Sequence, residues 1–202
     1  ADRDIIELLF SGLLNLAEDY KSSPDGQTWT VILKEGLKWS DGKPLTSEDV
    51  LYTIDIIQNP DAKSPLFPTW QGVIANRISE REIEFTIRNP YAFFLDNLKD
   101  LKIIPKHIFG AIPPANFHLS NFNLEPVNNG PYAFSSFEKQ KNGFINEYHL
   151  TANPYFSGEK VFIKNLDLKF YSDESELINA FNLKKIDGFG GLDPKNIGRL
   201  KL

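Results

Sequence analysis

A mixed α/β fold, with a mixed sheet and packed helices, is predicted for this 202-residue chain by three observations. Several runs, such as residues 28–34, alternate apolar with polar side chains, which is typical of half-buried strands. Other runs carry apolar residues at helical spacing behind a capping residue, as at 46–57. The composition, 41% hydrophobic and 24% charged, is that of a folded domain. The length fits one large domain or two small ones.

The first part of the chain is predicted to hold a helix, two turns and a strand. Apolar residues within 4–14 predict a well-buried helix that ends at Gly12 or continues into a short strand. The sequence Ser-Pro-Asp-Gly at 23–26 is typical of a turn, and Asp-Gly at 41–42 predicts a second one. The alternating, β-branched run between them is predicted to be a strand.

A second helix is predicted to start at Thr46. Asp49 follows three residues later, which is the pattern of a capping box, and Asn59-Pro60 ends the helical run. The inward positions of this helix are Val50, Ile54 and Ile57. Residues 61–71, rich in Pro and aromatics, fit neither period and are interpreted as a surface loop. We expect this loop to expose Leu66, Phe67 and Trp70, and exposed apolar side chains on a loop suggest a functional role.

The rest of the chain alternates strands with helices. Strands are predicted at 73–78, 83–87, 101–104, 132–139, 144–150, 161–171 and 186–188. Helical segments are predicted after Asn89-Pro90, at 105–109 and at 174–184. Residues 110–128 are interpreted as a long polar and aromatic connector.

Composition and charge exclude several classes of protein. The net charge is −5 with no basic run to neutralise a line of phosphates, so a nucleic-acid partner is not expected. Cysteine is absent, which removes disulfides, thiol nucleophiles and thiolate metal sites. The longest apolar stretches fall far short of the ~20 residues that a membrane span needs. We therefore expect no transmembrane segment in this chain.

No catalytic or metal-binding pattern stands out. His107, His118 and His149 lie far apart and are interpreted as surface or packing residues. Neither a Gly-x-Ser-x-Gly elbow nor a phosphate-binding loop occurs, so we expect a protein that is not an enzyme and needs neither metal nor cofactor. Aromatic residues make up 13% of the chain. Those in loops are suited to line a cleft for a small molecule or a peptide.

Five strings of residues then become informative together. They are Pro-Asp-Gly-Gln-Thr-Trp-Thr-Val-Ile-Leu at 24–33, Gly-Leu-Lys-Trp-Ser-Asp-Gly-Lys-Pro-Leu-Thr-Ser-Glu-Asp-Val at 36–50, Asn-Gly-Pro-Tyr at 129–132, Asn-Pro-Tyr-Phe at 153–156 and Ala-Phe-Asn-Leu-Lys-Lys-Ile-Asp at 180–187. In this order they resemble the extracellular solute-binding proteins of family 5. These are the oligopeptide-, dipeptide- and nickel-binding components of ABC importers.

The resemblance implies one lobe of a bilobal, type II periplasmic-binding-protein-like fold. Residues 1–27 would start the main subdomain of the lobe, 28–128 would form a hairpin-and-helix subdomain, and 129–202 would return to the main subdomain near the hinge. Trp39, Pro44 and Thr46 are interpreted as residues that build the fold. The ligand-binding residues implied for this lobe are Leu66, Phe67, Trp70, Phe189, Gly190 and Gly191.

The function implied is noncovalent capture of a peptide or other small solute outside the membrane and its delivery to an ABC permease. The location implied is extracellular or periplasmic, with a lipidated cysteine upstream as one route to a membrane anchor, and a monomer is expected. The ligand stays open among oligopeptide, dipeptide, nickel complex and sugar.

Two departures from the family pattern keep an alternative open. Family members carry a Gly- and Pro-bearing loop between the strings that are here Gly-Leu-Leu at 12–14 and Leu-Ala-Glu at 16–18, whereas only Asn15 intervenes in this chain. The family is also much longer, so we expect this chain to be a fragment with weak affinity for peptides. The alternative function is a stand-alone interaction or sensory domain derived from the same family.

Overall fold

Helices and strands alternate along the chain, so the predicted mixed α/β class is confirmed. The computed structural model describes residues 2–201. Its helices are α1 (Asp2–Leu9), α2 (Leu13–Leu16), α3 (Ser47–Gln58), α4 (Phe67–Trp70), α5 (Phe94–Asp100), α6 (Lys106–Phe109) and α7 (Glu174–Asn182). Its strands are β1 (Ala17–Ser22), β2 (Thr28–Leu33), β3 (Ile74–Arg77), β4 (Glu82–Thr86), β5 (Tyr132–Lys139), β6 (Ile145–Ala152) and β7 (Asn165–Lys169). Short 3-10 turns occupy Pro60–Ala62, Pro114–Leu119, Asn121–Asn123 and Pro194–Arg199.

The chain folds as two compact units. The first runs up to Ser135 and includes Leu150–Leu166, and the second consists of Ser136–His149 and the chain from Asp167 onward. Strands β5, β6 and β7 form one sheet in that order. The division into subdomains at 27/28 and 128/129 stays a prediction.

A four-stranded antiparallel sheet in the order β1-β2-β4-β3 forms one wall of the first unit. In its centre Trp29 lies opposite Phe85, and Val31 lies opposite Ile83. Because side chains alternate between the two faces of a strand, these four residues share one face. Val31, Ile83 and Phe85 are fully buried there. The strands predicted at 28–34, 73–78 and 83–87 are thereby confirmed.

Helix α3 packs its apolar side chains into the same core and begins where the sequence predicts. The Thr46 side chain accepts a hydrogen bond from the Glu48 N–H, and the Asp49 carboxylate accepts one from the Thr46 N–H at 3.0 Å. Asp49 also accepts the Lys106 N–H at 2.9 Å, which fixes the start of α6 against α3. Burial raises the pKa of the Asp49 carboxyl, and these two backbone hydrogen bonds oppose that rise.

Three buried asparagines join segments that are remote in sequence. The Asn128 side-chain amide donates to the carbonyls of Leu9, at 2.5 Å, and Tyr132, at 2.6 Å. Asn129 accepts the Ser11 N–H at 2.9 Å. Asn153 donates to the Gly130 carbonyl at 2.9 Å. Asn128 and the strings at 129–132 and 153–156 therefore hold the end of α1 against the start of β5. We call Asn128, Asn129 and Asn153 the asparagine hub.

Two glycines are required where backbones approach closely. A Cβ on Gly130 would come within 2.5 Å of the Leu9 carbonyl carbon, and one on Gly12 would come within 1.8 Å of the Lys99 carbonyl oxygen. Gly12 lies between α1 and α2, and the helix that was predicted within 4–14 to end at Gly12 or to continue into a short strand ends earlier, at Leu9. Helix α1 ends at Leu9 and is largely exposed, with Ile6 facing solvent.

Two predicted strands are wrong in the described part of the chain. Residues 101–104 contribute only a single bridge, between Lys102 and Gly12, and no strand pairs with them in the described range. Residues 186–188 form no strand, since Lys184 adopts a left-handed φ of 56° after α7 and the chain continues as a bend. The strand predicted at 161–171 is confirmed only as β7, and Phe162 before it is fully exposed.

None of the helices within residues 2–201 is long and apolar enough to cross a bilayer. The longest of them, α3, has 12 residues.

The cap of α3 leads to a first prediction. Thr46→Ala removes the side-chain acceptor, so the free energy of unfolding should fall by about 0.5–2 kcal/mol. Thr46→Ser keeps an acceptor at the same place and should lose much less. Urea unfolding followed by circular dichroism measures both variants, and an unchanged midpoint in Thr46→Ala would mean that the cap contributes nothing.

The asparagine hub leads to a second prediction. Asn128→Ala removes one hydrogen bond from each of the Leu9 and Tyr132 carbonyls, while the Leu9 carbonyl keeps the Gly130 N–H at 2.7 Å. The loss of these two buried hydrogen bonds should lower the free energy of unfolding by about 1–3 kcal/mol in total. The matched control is Asn76→Ala, which removes the same group from an exposed position on β3. Differential scanning calorimetry of the two variants makes the comparison. Equal small losses in both would contradict the role assigned to Asn128.

Candidate functional site

The three predicted ligand-binding residues at 66–70 have unlike surroundings. Leu66 is 43% exposed and Phe67 is half-buried, but Trp70 is only 2% exposed. The expected exposure of Trp70 is therefore wrong. The segment interpreted as a loop contains one helical turn, α4, and this turn directs the indole ring toward the sheet, where it packs 6.2 Å from Phe85 and 5.8 Å from Phe94.

The other three predicted residues lie in the second unit. Phe189 is half-buried, with its ring edge-to-face against Phe181 at 5.0 Å. Gly190 and Gly191 are exposed, and Gly191 has a φ of 75°. A ligand-binding role for these three, as for Leu66, Phe67 and Trp70, stays a prediction.

An open cleft of about 660 Å³ lies in the first unit and is lined in part by the second half of the predicted loop, at Pro68, Thr69 and Gln71. Its apolar lining comes from Pro68, Val73 and Ile87, of which Val73 and Ile87 are buried parts of the core. Tyr91 lines the cleft from the segment before α5, and Asn97 lines it from α5 itself. We call this space the 68–97 cleft.

A tight turn shapes one side of the 68–97 cleft. Gln71 has φ −61° and ψ 125°, and Gly72 has φ 79°, which are the angles of a type II turn. The Val73 N–H closes the turn on the Trp70 carbonyl at 3.2 Å. The Gln58 side-chain amide donates to the carbonyls of both Trp70 and Val73, each at 2.7 Å, so α3 holds the turn at both ends.

A cluster of aromatic rings holds the opposite side. Phe94 is fully buried, and its ring centre lies between 5.8 and 6.5 Å from those of four others: Trp29, Trp70, Phe85 and Tyr91. Such tilted and edge-to-face pairs add about 0.5–1.5 kcal/mol each beyond the area they bury. The cluster therefore fixes the Tyr91 ring at the wall of the cleft while Trp70 anchors α4.

The remaining lining of the cleft is polar and rich in hydrogen-bond donors. It comprises Thr69, Gln71, Arg88 and Asn89, with Asn97 beside them. The Asn97 amide donates to the Tyr91 hydroxyl at 2.5 Å, which leaves the hydroxyl proton free to be donated elsewhere. No aspartate or glutamate lines the cleft in the described part of the chain.

The arrangement is suited to noncovalent binding. Within residues 2–201 no group of three or more His, Cys, Asp or Glu side chains is placed to hold a metal ion. His107 and His149 instead lie next to single carboxylates, Asp41 at 2.8 Å and Asp167 at 2.6 Å. An apolar floor with a polar, donor-rich rim fixes the orientation of a small ligand without chemistry.

The sequence reasoning missed the polar residues of this cleft. Asn89-Pro90 was predicted only to precede a helix, and Gly72 lies between the loop predicted at 61–71 and the strand predicted at 73–78. Two pairs of turn residues, Gln71-Gly72 and Asn89-Pro90, could have indicated the cleft. They lie on either side of a predicted hairpin, and the two ends of a hairpin lie close together. Nothing local to Arg88 or Asn97 indicates that they face the same space.

Comparison with known proteins matches the part of the chain that contains the five strings quoted from the sequence. Residues 14–202 match the family model described as bacterial extracellular solute-binding proteins, family 5, Middle. Protein XP55 of Streptomyces lividans is 32% identical over 94% of this chain and 35% of its own length. The oligopeptide-binding protein AppA of Bacillus subtilis is 30% identical over 93% of this chain and 37% of its own length.

Solved structures resemble the chain as well. NikZ of Campylobacter jejuni, in complex with Ni(L-His), superposes with a TM-score of 0.80 at 28% identity, covering 93% of this chain and 38% of that one. AppA in complex with a nonapeptide gives a TM-score of 0.80 at 27% identity, covering 91% of this chain and 38% of that one. The chain thus spans a little over a third of the length of these relatives.

The turn at Gly72 yields a third prediction. Gly72→Ala should cost about 1–2 kcal/mol of stability, because an alanine Cβ disfavours the left-handed conformation that the turn requires. Open space surrounds the position, so the loss comes from the backbone and not from a clash. Gly198→Ala is the control, because that glycine has equally open space without a positive φ. Thermal unfolding with equal midpoints in both variants would contradict the turn assignment.

Proposed function

The chain belongs to the bacterial extracellular solute-binding proteins of family 5, and on that premise we propose that it forms part of the solute-capturing surface of an ABC importer's binding protein. The solute proposed is a peptide, held noncovalently outside the membrane for delivery to a permease. The observation that carries this proposal is the combination of the family match over residues 14–202 with the 68–97 cleft. The oligopeptide-binding relative and the nonapeptide complex support peptide as the solute class.

The proposal assigns the binding surface of the first unit to two neighbouring segments. Leu66 and Phe67 present apolar surface at α4, and the 68–97 cleft begins at the next residue. Trp70 is proposed to support this surface without contacting the solute, because its buried ring fixes α4 and the turn at 71–72. For the second unit, taken by itself, we propose a ligand-binding role for Phe189, Gly190 and Gly191.

The family is named for its extracellular members, and we propose an extracellular or periplasmic site of action for the whole protein. A permease partner, a monomeric state and attachment through an upstream lipidated cysteine belong to the same proposal. Membership of the family is the support for each of these proposals.

Binding of peptides is the direct test of the function. Isothermal titration of the chain with a mixed set of short peptides should give saturable heat, while nickel with free histidine and a mannose oligosaccharide should give none. Saturation by nickel-histidine or by the sugar alone would contradict the peptide assignment within the family. Absence of saturable binding of every peptide would contradict the proposed function itself.

Mutation of the apolar segment is a sharper variant of that test. Phe67→Ser should weaken peptide binding, and it should also lower the thermal midpoint somewhat because the half-buried ring loses apolar contacts. Binding is therefore measured at a temperature where the variant is fully folded. Phe162→Ser is the matched control, because that ring is fully exposed in the same unit and lies outside the cleft. Equal affinity of both variants would remove Phe67 from the binding surface.

A further inference from the structure

We propose that the 68–97 cleft recognises a carboxylate on an aliphatic stem, with Arg88 as its cationic anchor. A glutamate side chain of a peptide and a small dicarboxylic acid share this chemistry. The inference rests on the proposed function for the identity of the solute as a peptide, and on the cleft alone for the carboxylate.

The first support is the charge of the cleft. Arg88 is the one lysine or arginine among the described residues that line it, and no carboxylate lines it. Two other arginines of this chain have side-chain partners: Arg81 pairs with Glu18 and Glu35, and Arg77 donates to Ser47. Arg88 has neither an ion pair nor a hydrogen bond with any side chain in the described range. Its guanidinium is therefore available to an external anion.

The second support is the set of donors around that charge. The Tyr91 hydroxyl accepts from Asn97 and so has its own proton to donate. Gln71 and Asn89 add side-chain amides, and Thr69 adds a hydroxyl, on the same lining. Carboxylate oxygens accept several hydrogen bonds, and an arginine fork matches their geometry in a bidentate pair.

The third support is the floor beneath these donors. Val73 and Ile87 are buried by the core behind them, and Pro68 adds a rigid apolar surface. A methylene stem placed on this floor leaves water while its carboxylate stays at the polar rim. A bare inorganic anion would leave the floor wet, so the cleft favours an organic acid.

The fourth support is rigidity. The turn at 71–72 is held at both ends by Gln58, and the Tyr91 ring is held by Phe94. A lining that is already ordered loses little conformational entropy when a ligand arrives. Of the groups named, the Arg88 side chain has the most freedom left to lose.

The experiment uses two pairs of probes that differ in one kind of group. The first pair is glutarate and glutaramide, and the second is acetyl-Gly-Glu-Gly-amide and acetyl-Gly-Gln-Gly-amide. Each is titrated calorimetrically into the wild-type chain, Arg88→Gln, Arg88→Lys and the control Arg3→Gln. Arg3 lies on exposed α1, outside the cleft, and its replacement changes the net charge by the same amount.

The wild-type chain should bind each acid about tenfold or more tightly than its amide, as expected for hydrogen bonds to a charged group. Arg88→Gln should abolish this preference, and Arg88→Lys should keep part of it, because a lysine retains the charge without the fork. Arg3→Gln should behave as wild type. Thermal midpoints within error of wild type confirm that each variant is folded.

The remaining outcomes separate failure of the carboxylate proposal from failure of the proposed peptide function. Equal binding of acid and amide by the wild-type chain, or an acid preference that survives Arg88→Gln, overturns the carboxylate proposal while peptide binding stays intact. A parallel loss in Arg3→Gln would reduce the effect to net charge and also overturn it. Binding of glutarate that depends on Arg88, without binding of any peptide, would support the carboxylate site and contradict the peptide function.

Discussion

The side-chain amide of Asn128 is the constraint on which the first unit depends. A buried carbonyl must find a donor, and this one amide supplies a donor to Leu9, at the end of α1, and to Tyr132, at the start of β5. The Asn128 backbone adds two hydrogen bonds with Ser40, at the strand-to-helix junction that leads to α3. Three segments separated by up to 119 residues therefore meet at one position. An apolar residue of equal size would fill the space but would lose both side-chain hydrogen bonds, to the Leu9 and Tyr132 carbonyls.

The candidate site is also held in place by the first unit, through α3 and the aromatic cluster around Phe94. Thr46 and Asp49 fix the start of α3, and Gln58 in the last turn of that helix holds the turn that shapes the 68–97 cleft. Phe94 holds the opposite wall through its ring contacts. The cleft is thus positioned by a helix and an aromatic cluster, while its polar rim comes from short connecting segments. This division between a rigid support and variable rim is typical of binding proteins that share a fold and differ in ligand.

How much the sequence predicts depends on whether the signal is local. The cap at Thr46 and the alternation in β2 and β4 are local, so these elements were predicted with nearly correct bounds. Trp70 was expected on the surface because a single helical turn rich in Pro and aromatics has no detectable period. The end of the first helix before Gly12 was predicted from the glycine itself, but the close approach of the Lys99 carbonyl, 87 positions away along the chain, leaves no trace in the local pattern. Arg88 and Gln71 line the same cleft because the β3–β4 hairpin between them brings its two ends together. Their spacing in the sequence therefore does not indicate that they are neighbours.

The proposal that a solute binds in the 68–97 cleft is tested by locating bound ligand residue by residue. Backbone amide NMR spectra of the chain, recorded during titration with acetyl-Gly-Glu-Gly-amide, give that map. The account predicts saturable shifts at Gln71 and Gly72 and at residues 87–91, with little change at the asparagine hub. Shifts confined to Phe189–Gly191, or saturable shifts that leave residues 68–97 unchanged, would contradict it.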